Sequence, residues 1–193
     1  KKIIAKLPEE RQSLFFSATM PPKIQQLSSQ LLFNPFQVNV TPKSSSVKKI
    51  DQSVRMIDRG EKVDRLVKLL NGENVNRSIV FTRTKRGASA LARKLEKQNI
   101  AAAAIHGNKS QAARQKALNS FRQNRISVLV ATDVAARGID IDDVSHVVNF
   151  DMPVDPESYV HRVGRTGRAG AEGIAISFCT ADEFDKLREI EKL

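Results

Sequence analysis

A chain of 193 residues with 32 Lys and Arg against 21 Asp and Glu carries a net charge of +11 and has length for one domain and part of another. Its 40% hydrophobic and 27% charged content is that of a globular protein and excludes wholesale disorder. Cys179 is the only cysteine, which excludes an intrachain disulfide framework and any cysteine-clustered zinc site.

The first fifty residues are unlike the rest. Arg11–Phe16 reads as a strand, Pro21–Leu32 as a helix with Pro at its start, and Phe36–Val40 as a second short strand. Thr41-Pro42-Lys43-Ser44-Ser45-Ser46 then has linker composition. One helix and two strands cannot bury their apolar faces alone. Residues 1–41 are therefore expected to be the tail of a preceding domain, 42–50 a linker, and 51–193 a domain of their own. A start at Lys1 without Met points the same way, to a piece of a longer protein.

From residue 51, short β-branched runs alternate with helical patterns. Strands are expected at Ser53–Ile57, Ser78–Phe81, Ala101–Ile105, Val128–Ala131, Val144–Asn149 and Gly173–Phe178. Helices are expected at Lys62–Leu70, Arg86–Lys97, Gln111–Arg122, Pro156–Val163 and Asp182–Leu193. Several strands are apolar throughout, as they are when helices cover both faces of a parallel sheet. The pattern predicts an α/β fold, an open doubly wound parallel sheet. The longest hydrophobic run, Ile100 to Ile105, is far short of a membrane span, and no signal-peptide core follows the first lysines. A reduced cytoplasmic setting with no membrane partner is the simplest expectation.

Charge is unevenly placed. Residues 77–125 hold 12 basic residues against Glu96 alone, whereas residues 126–193 hold 7 basic against 13 acidic. The basic block suits a polyanion, and equally suits solvated helix faces. In open α/β sheets, ligands bind beyond the carboxyl ends of the strands. Three such ends run into Thr82-Arg83-Thr84-Lys85, His106-Gly107-Asn108-Lys109-Ser110 and Thr132-Asp133, offering hydroxyls, glycine and helix N-terminal N–H groups. Gln111 and Arg114 lie one turn into the helix after the second junction. Ordinary helix capping explains the same residues without a ligand, but their repetition in a basic block favours a nucleic-acid backbone. With one Tyr and no Trp, base stacking is improbable, so sequence-independent contacts are expected.

His161-Arg162-Val163-Gly164-Arg165-Thr166-Gly167-Arg168 forms the second constellation. Arginine stays protonated, so its catalytic use is to stabilise charge on a transferring phosphoryl group. The alternative is an Arg-rich turn paired with Asp151, Asp155 or Glu157. Gly107-Asn108-Lys109-Ser110 fails as a phosphate-binding loop because Asn108 interrupts it. The Gly164, Gly167 and Gly170 series has the wrong spacing and context for a dinucleotide fingerprint. Asp140, Asp142 and Asp143 lack EF-hand spacing.

Together these segments resemble the second RecA-like domain of the DEAD-box RNA helicases, most closely the bacterial RhlE-type group. Ser17-Ala18-Thr19 is similar to motif III and Ile79-Val80-Phe81-Thr82 to motif IV. His106-Gly107 through Gln111-x-x-Arg114 is similar to the Gln-x-x-Arg element. Ala131 through Asp140 is similar to motif V, and His161 through Arg168 to motif VI. The resemblance implies that Arg165 and Arg168 contact the ATP γ-phosphate as catalytic arginines and that Asp140 holds the ribose. It further implies that Arg83, Gly107, Gln111, Arg114 and Thr132 line the RNA backbone path. Ser17, Thr19, Arg137 and His161 would couple the domains. The family's phosphate-binding loop, adenine-reading segment and Asp-Glu-Ala-Asp metal site are absent. ATP and Mg²⁺ would thus be held mainly by an N-terminal RecA-like domain of the same protein, and this piece alone would be inactive. A stand-alone RNA-binding or scaffold module and a DNA helicase of the wider superfamily are the competing readings. The orphan segment 1–41 also suggests a dimer through its apolar strand.

Overall fold

The apolar runs pair as six parallel strands in one sheet. They are β1 (Ile50–Met56), β2 (Ser78–Phe81), β3 (Ala102–Ile105), β4 (Val128–Ala131), β5 (His146–Asn149) and β6 (Gly173–Cys179). Their order is β1-β6-β5-β2-β4-β3. The chain first builds outward from β2 to β3 and β4, then crosses to the far side of β2 for β5. The direction therefore reverses at β2, which is where an open α/β sheet leaves a crevice beyond its strand ends. In this computed structural model the residues described are 4–17, 20–39, 50–72, 74–136, 141, 144–168 and 172–192.

Side chains alternate across the sheet as strand geometry requires. Ile79, Phe81, Leu129, Ala131 and Val147 enter one core, and Val80, Val128, Val130, Val148 and Phe178 enter the other. The first core is closed by α4 (Gln111–Arg122), through Ala117 and Phe121, and by α5 (Asp133–Ala136) and α6 (Pro156–Val163). The second is closed by Leu66 of α2 (Lys62–Leu70) and by Ala88, Leu91, Ala92 and Leu95 of α3 (Lys85–Lys97). Among the described residues, no helix is long and apolar enough to cross a membrane.

Local signals set the helix ends. The Thr84 hydroxyl accepts the Gly87 N–H at 2.9 Å, the Ser110 hydroxyl that of Ala113 at 3.2 Å, and the Asp155 carboxylate that of Ser158 at 2.7 Å. Helices α3 and α4 close with Asn99 at φ 60° and Asn124 at φ 55°, the left-handed residues of Schellman caps. In α3 the Ile100 N–H reaches the Leu95 carbonyl at 3.0 Å, and both side chains enter the second core.

The expected elements from residue 51 on are present, with shifted ends. The first strand begins at Ile50, the third at Ala102 and the fifth at His146. The last helical pattern divides into a 3₁₀ turn, Ala181–Glu183, and α7 (Phe184–Ile190). Helix α5, one turn long, is too short to leave a period in the sequence.

The chain divides into two compact units, Lys1–Pro42 and Lys43–Leu193. The first holds a 3₁₀ turn at Ile4–Lys6 and α1 (Pro22–Leu31). The strand expected at Arg11–Phe16 is irregular backbone, and so are residues 36–39 of the one expected at Phe36–Val40. A strand needs a hydrogen-bonded neighbour, and this unit supplies none among its described residues. None of those residues is buried, and Leu14, Phe16, Phe33 and Phe36 are 70%, 87%, 100% and 92% exposed.

Candidate functional site

Register brings the three basic junctions together. Phe81 pairs with Ala131, and Ala131 with Ile105, so β2, β4 and β3 end level with one another. The residues that follow continue the row. Thr82 donates its N–H to the Ala131 carbonyl at 2.9 Å, and Thr132 donates to Ile105 at 3.4 Å. Neighbouring strands lie about 4.8 Å apart, so Arg83, Thr132 and Gly107 leave the sheet along one short edge. Helices α3 and α4 open there too, and their N-terminal N–H groups add partial positive charge.

His106 is buried at this edge. Its Nδ1 accepts the Asn108 N–H at 3.3 Å, so the proton of the neutral ring sits on Nε2, which donates to the Ser89 hydroxyl at 2.7 Å. Burial, then the ammonium groups of Lys109 and Lys85, lower its pKa below 6.5. Gly107 is exposed, and a Cβ built there would meet only the Lys85 side chain, at 3.4 and 3.6 Å. Gln111 is exposed, and its Oε1 accepts from the Arg114 guanidinium at 3.3 Å. The Arg114 Nε is buried without a hydrogen-bond partner. An unsatisfied buried cationic donor is costly unless a ligand completes it.

The arginine segment lies beside this row. Arg165 donates Nε to the His161 carbonyl at 3.0 Å, and Arg168 donates Nε to Gly164 at 2.9 Å. Both are half-buried at the C-terminal end of α6, where the helix dipole favours cations. His161 and Arg165 share a shallow pocket with Phe81, Asp133 and Ser158. The loop after α6 turns through Gly167 at φ 65°. It is pinned by the Thr166 hydroxyl, which donates to the Val144 carbonyl.

Several residues that hold the site are not evident from the sequence. Arg162, 1% exposed, is bound by both Asp133 oxygens at 2.5 and 2.8 Å, by Asn149 at 3.1 Å and by the Asp151 carbonyl at 2.8 Å. Its guanidinium also lies 5.1 Å from the Phe81 ring centroid. Of the acids foreseen as partners of an Arg-rich turn, Asp151 meets Arg162 through its backbone carbonyl. Glu183 is equally buried. It binds the Lys62 ammonium at 3.0 Å, the Arg83 guanidinium, and the Met152 N–H at 3.3 Å. Burial raises its pKa, but the Lys62 and Thr180 hydrogen bonds outweigh that and hold it below the usual value. Arg83, read as an RNA contact, is therefore partly committed inside the protein. Nothing in the sequence sets Glu183 apart from the other four acids of the last expected helix, Asp182, Asp185, Glu189 and Glu191.

Of the other candidates, Ser17 is exposed in the first unit, whereas Thr19, Arg137 and Asp140 lie outside the described residues. Among the described residues no group of three His, Cys, Asp or Glu is placed to hold a metal ion.

Comparison with known proteins supplies the rest. The model of the helicase conserved C-terminal domain matches residues 61–170. The chain is 47% identical over 192 residues to the DEAD-box ATP-dependent RNA helicase CshA of Bacillus licheniformis, covering 100% of this chain and 39% of that protein. The Bacillus subtilis CshA gives the same figures. The chain thus spans about two fifths of the length of these relatives. They carry the CshA name, so the RhlE-type grouping expected from the sequence gives way to a CshA-like one. Yeast Dbp5 bound to RNA and ADP BeF3 superposes with a TM-score of 0.87 at 34% identity, covering 99% of this chain and 51% of that one. The Escherichia coli DEAD-box protein SrmB, bound to the regulator of ribonuclease activity A, gives 0.70 at 43% identity, covering 74% and 84%. The fold is RecA-like.

Proposed function

Because the chain belongs to the helicase conserved C-terminal domain family, in its DEAD-box RNA helicase form, we propose that it is the half of an ATP-dependent RNA helicase that grips RNA and completes the ATP site. The observation that carries this reading is the level ending of β2, β4 and β3, which lines up Arg83, Thr132 and Gly107 beside Gln111 and Arg114. The row offers cations, hydroxyls and helix N-termini, and it suits sugar and phosphate rather than base edges. Gly107 lets a backbone approach closely, and the Arg114 guanidinium adds positive charge beside it.

Arg165 and Arg168 act on the nucleotide. With Nε anchored on backbone carbonyls, each guanidinium keeps a set position, and the positive charge needs little reorganisation when charge develops on the transferring phosphoryl group. Asp140 is assigned to the ribose. ATP brings Mg²⁺ with it, and the carboxylates that hold the ion belong to the N-terminal RecA-like domain. Arg137 and His161 are assigned to the interface with that domain, and Ser17 and Thr19, in the segment read as its remnant, to coupling ATP state to RNA binding. The exposed apolar side chains of the first unit, Leu14, Phe16, Phe33 and Phe36, are assigned to the same cover, with self-association as the competing occupant. The whole protein would separate short RNA duplexes in the cytoplasm.

Restoring the N-terminal half and measuring RNA-stimulated ATP turnover tests this reading. Arg165→Ala should lower turnover by about 10³-fold or more while RNA still binds, the scale of an arginine finger. Unchanged turnover would overturn the assignment, as would RNA-stimulated turnover by this chain alone. Competition by matched DNA would favour the DNA-helicase reading.

A further inference from the structure

Helix α4 carries more polar surface than the proposed junction uses. Gln111, Gln115, Asn119 and Gln123 recur at every fourth residue, which lines them along one slowly turning stripe of the helix. All four are exposed. The Gln115 side chain donates to the Asn119 Oδ1 at 2.9 Å, so neighbouring rungs are tied together. Gln115, Lys116, Asn119, Ser120, Gln123 and Arg125 line one open trough. No acidic residue occurs between Glu96 and Asp133. Lys116 and Arg125 are exposed and make no ion pair with any described residue.

We infer that this face of α4 continues the RNA track beyond the junction, holding the backbone of a single strand along the helix. The inference rests on the junction being the RNA site. Gln111 belongs both to the junction and to the stripe, so the path is continuous from one to the other. A helix of 12 residues is about 18 Å long, room for a few further phosphates. Amide and hydroxyl groups without acids or aromatics suit a sugar-phosphate chain and give no base preference. Lys116 and Arg125 supply the charge that a polyanion needs.

Fluorescence anisotropy with labelled oligouridylates of about 6 and about 16 nucleotides, the span of common single-strand site sizes, tests this on the chain itself. Lys116→Glu with Arg125→Glu should weaken the long RNA and leave the short one unchanged. The slope of log affinity against log salt for the long RNA should fall by about 1.4, at about 0.7 per phosphate contact. Gln115→Ala with Asn119→Ala, which changes no charge, should weaken the long RNA without altering the slope. Unchanged long-RNA affinity in both variants overturns the inference and leaves the face to an acidic protein. So does equal weakening of both lengths. Arg114→Ala is the separate control on the junction: it should weaken both RNAs. If it changes neither while the charge reversals weaken the long one, the junction reading fails and the α4 track stands. Where the short RNA binds too weakly to measure, the long-RNA slope decides alone.

Discussion

Arg162 grips Asp133 with two parallel hydrogen bonds, at 2.5 and 2.8 Å, across 29 residues of sequence. Asp133 directly follows Thr132 of the proposed RNA row. Arg162 directly follows His161 and stands one helical turn before Arg165. One ion pair therefore joins the two halves of the site, and neither half can shift without straining it. Arg162→Ala would leave Asp133 and Asn149 without their cation. Since Asp133 is 30% exposed, the cost should fall near the lower end of the range for breaking a buried pair, about 3 kcal/mol. Urea unfolding of the chain measures it. Arg162→Lys keeps the charge but loses the fork, so it should recover only part of the stability. Full recovery would show that the bidentate geometry is unimportant.

Glu183 makes an acid-dependent prediction. Its folded pKa lies below the ordinary value, so its contribution is complete above the unfolded value of about 4.3 and is lost as pH falls through the folded one. Glu183→Gln should lower stability at neutral pH and flatten the loss seen on acidification. It also releases Arg83 from its internal partner, which should change RNA affinity through a residue that RNA binding itself would not touch. A variant with unchanged stability would show the network to be dispensable.

The histidines act in a higher window. His106 and His146 both titrate below 6.5 because burial disfavours the imidazolium, with Lys109 and Lys85 adding to the effect at His106. Between the folded values and 6.5 the unfolded chain binds more protons, so stability should rise with pH across that interval. Urea midpoints at about pH 7.5 and about pH 5.5, one on each side of the unfolded value, measure the rise. His106→Gln should shrink the difference between them. An unaltered difference would assign the effect to other groups.

What the sequence made legible follows from the range of each interaction. Helices α2, α4 and α6 begin and end where their periodicity and capping residues place them, because those signals are local. The row formed by Thr132, Arg83 and Gly107 was equally readable, since Thr132 directly follows an apolar strand and the other two come one residue later. The bonds that hold these residues were not. Glu183 lies 121 residues from Lys62 and 100 from Arg83, and no spacing rule connects such positions. Arg162 sat inside a motif singled out for its other arginines, and only burial distinguishes it from them. The strands expected in the first unit fail for the same reason. Their residues have strand character, but a strand is defined by a partner that local sequence does not supply.

Two glycines separate binding from folding. At Gly107 an added Cβ meets only the Lys85 side chain, at 3.4 and 3.6 Å, which is ordinary contact. At Gly173 it would fall 2.4 Å from the Thr166 hydroxyl and 2.5 Å from the Gly167 nitrogen. The first position is open to the outside, while the second is filled by the loop that carries Arg165 and Arg168. Gly107→Ala should therefore unfold at the urea concentration of the parent chain yet bind RNA more weakly, because the methyl group occupies the approach of the backbone. Gly173→Ala must push the loop away from β6. It should lose about 1–3 kcal/mol, as overpacked sites do, and should impair ATP turnover in the reassembled protein more than RNA binding. Parent-like RNA affinity for Gly107→Ala would remove that residue from the RNA path. Parent-like stability for Gly173→Ala would mean that the arginine loop yields without cost, and the set position argued for Arg165 and Arg168 would go with it.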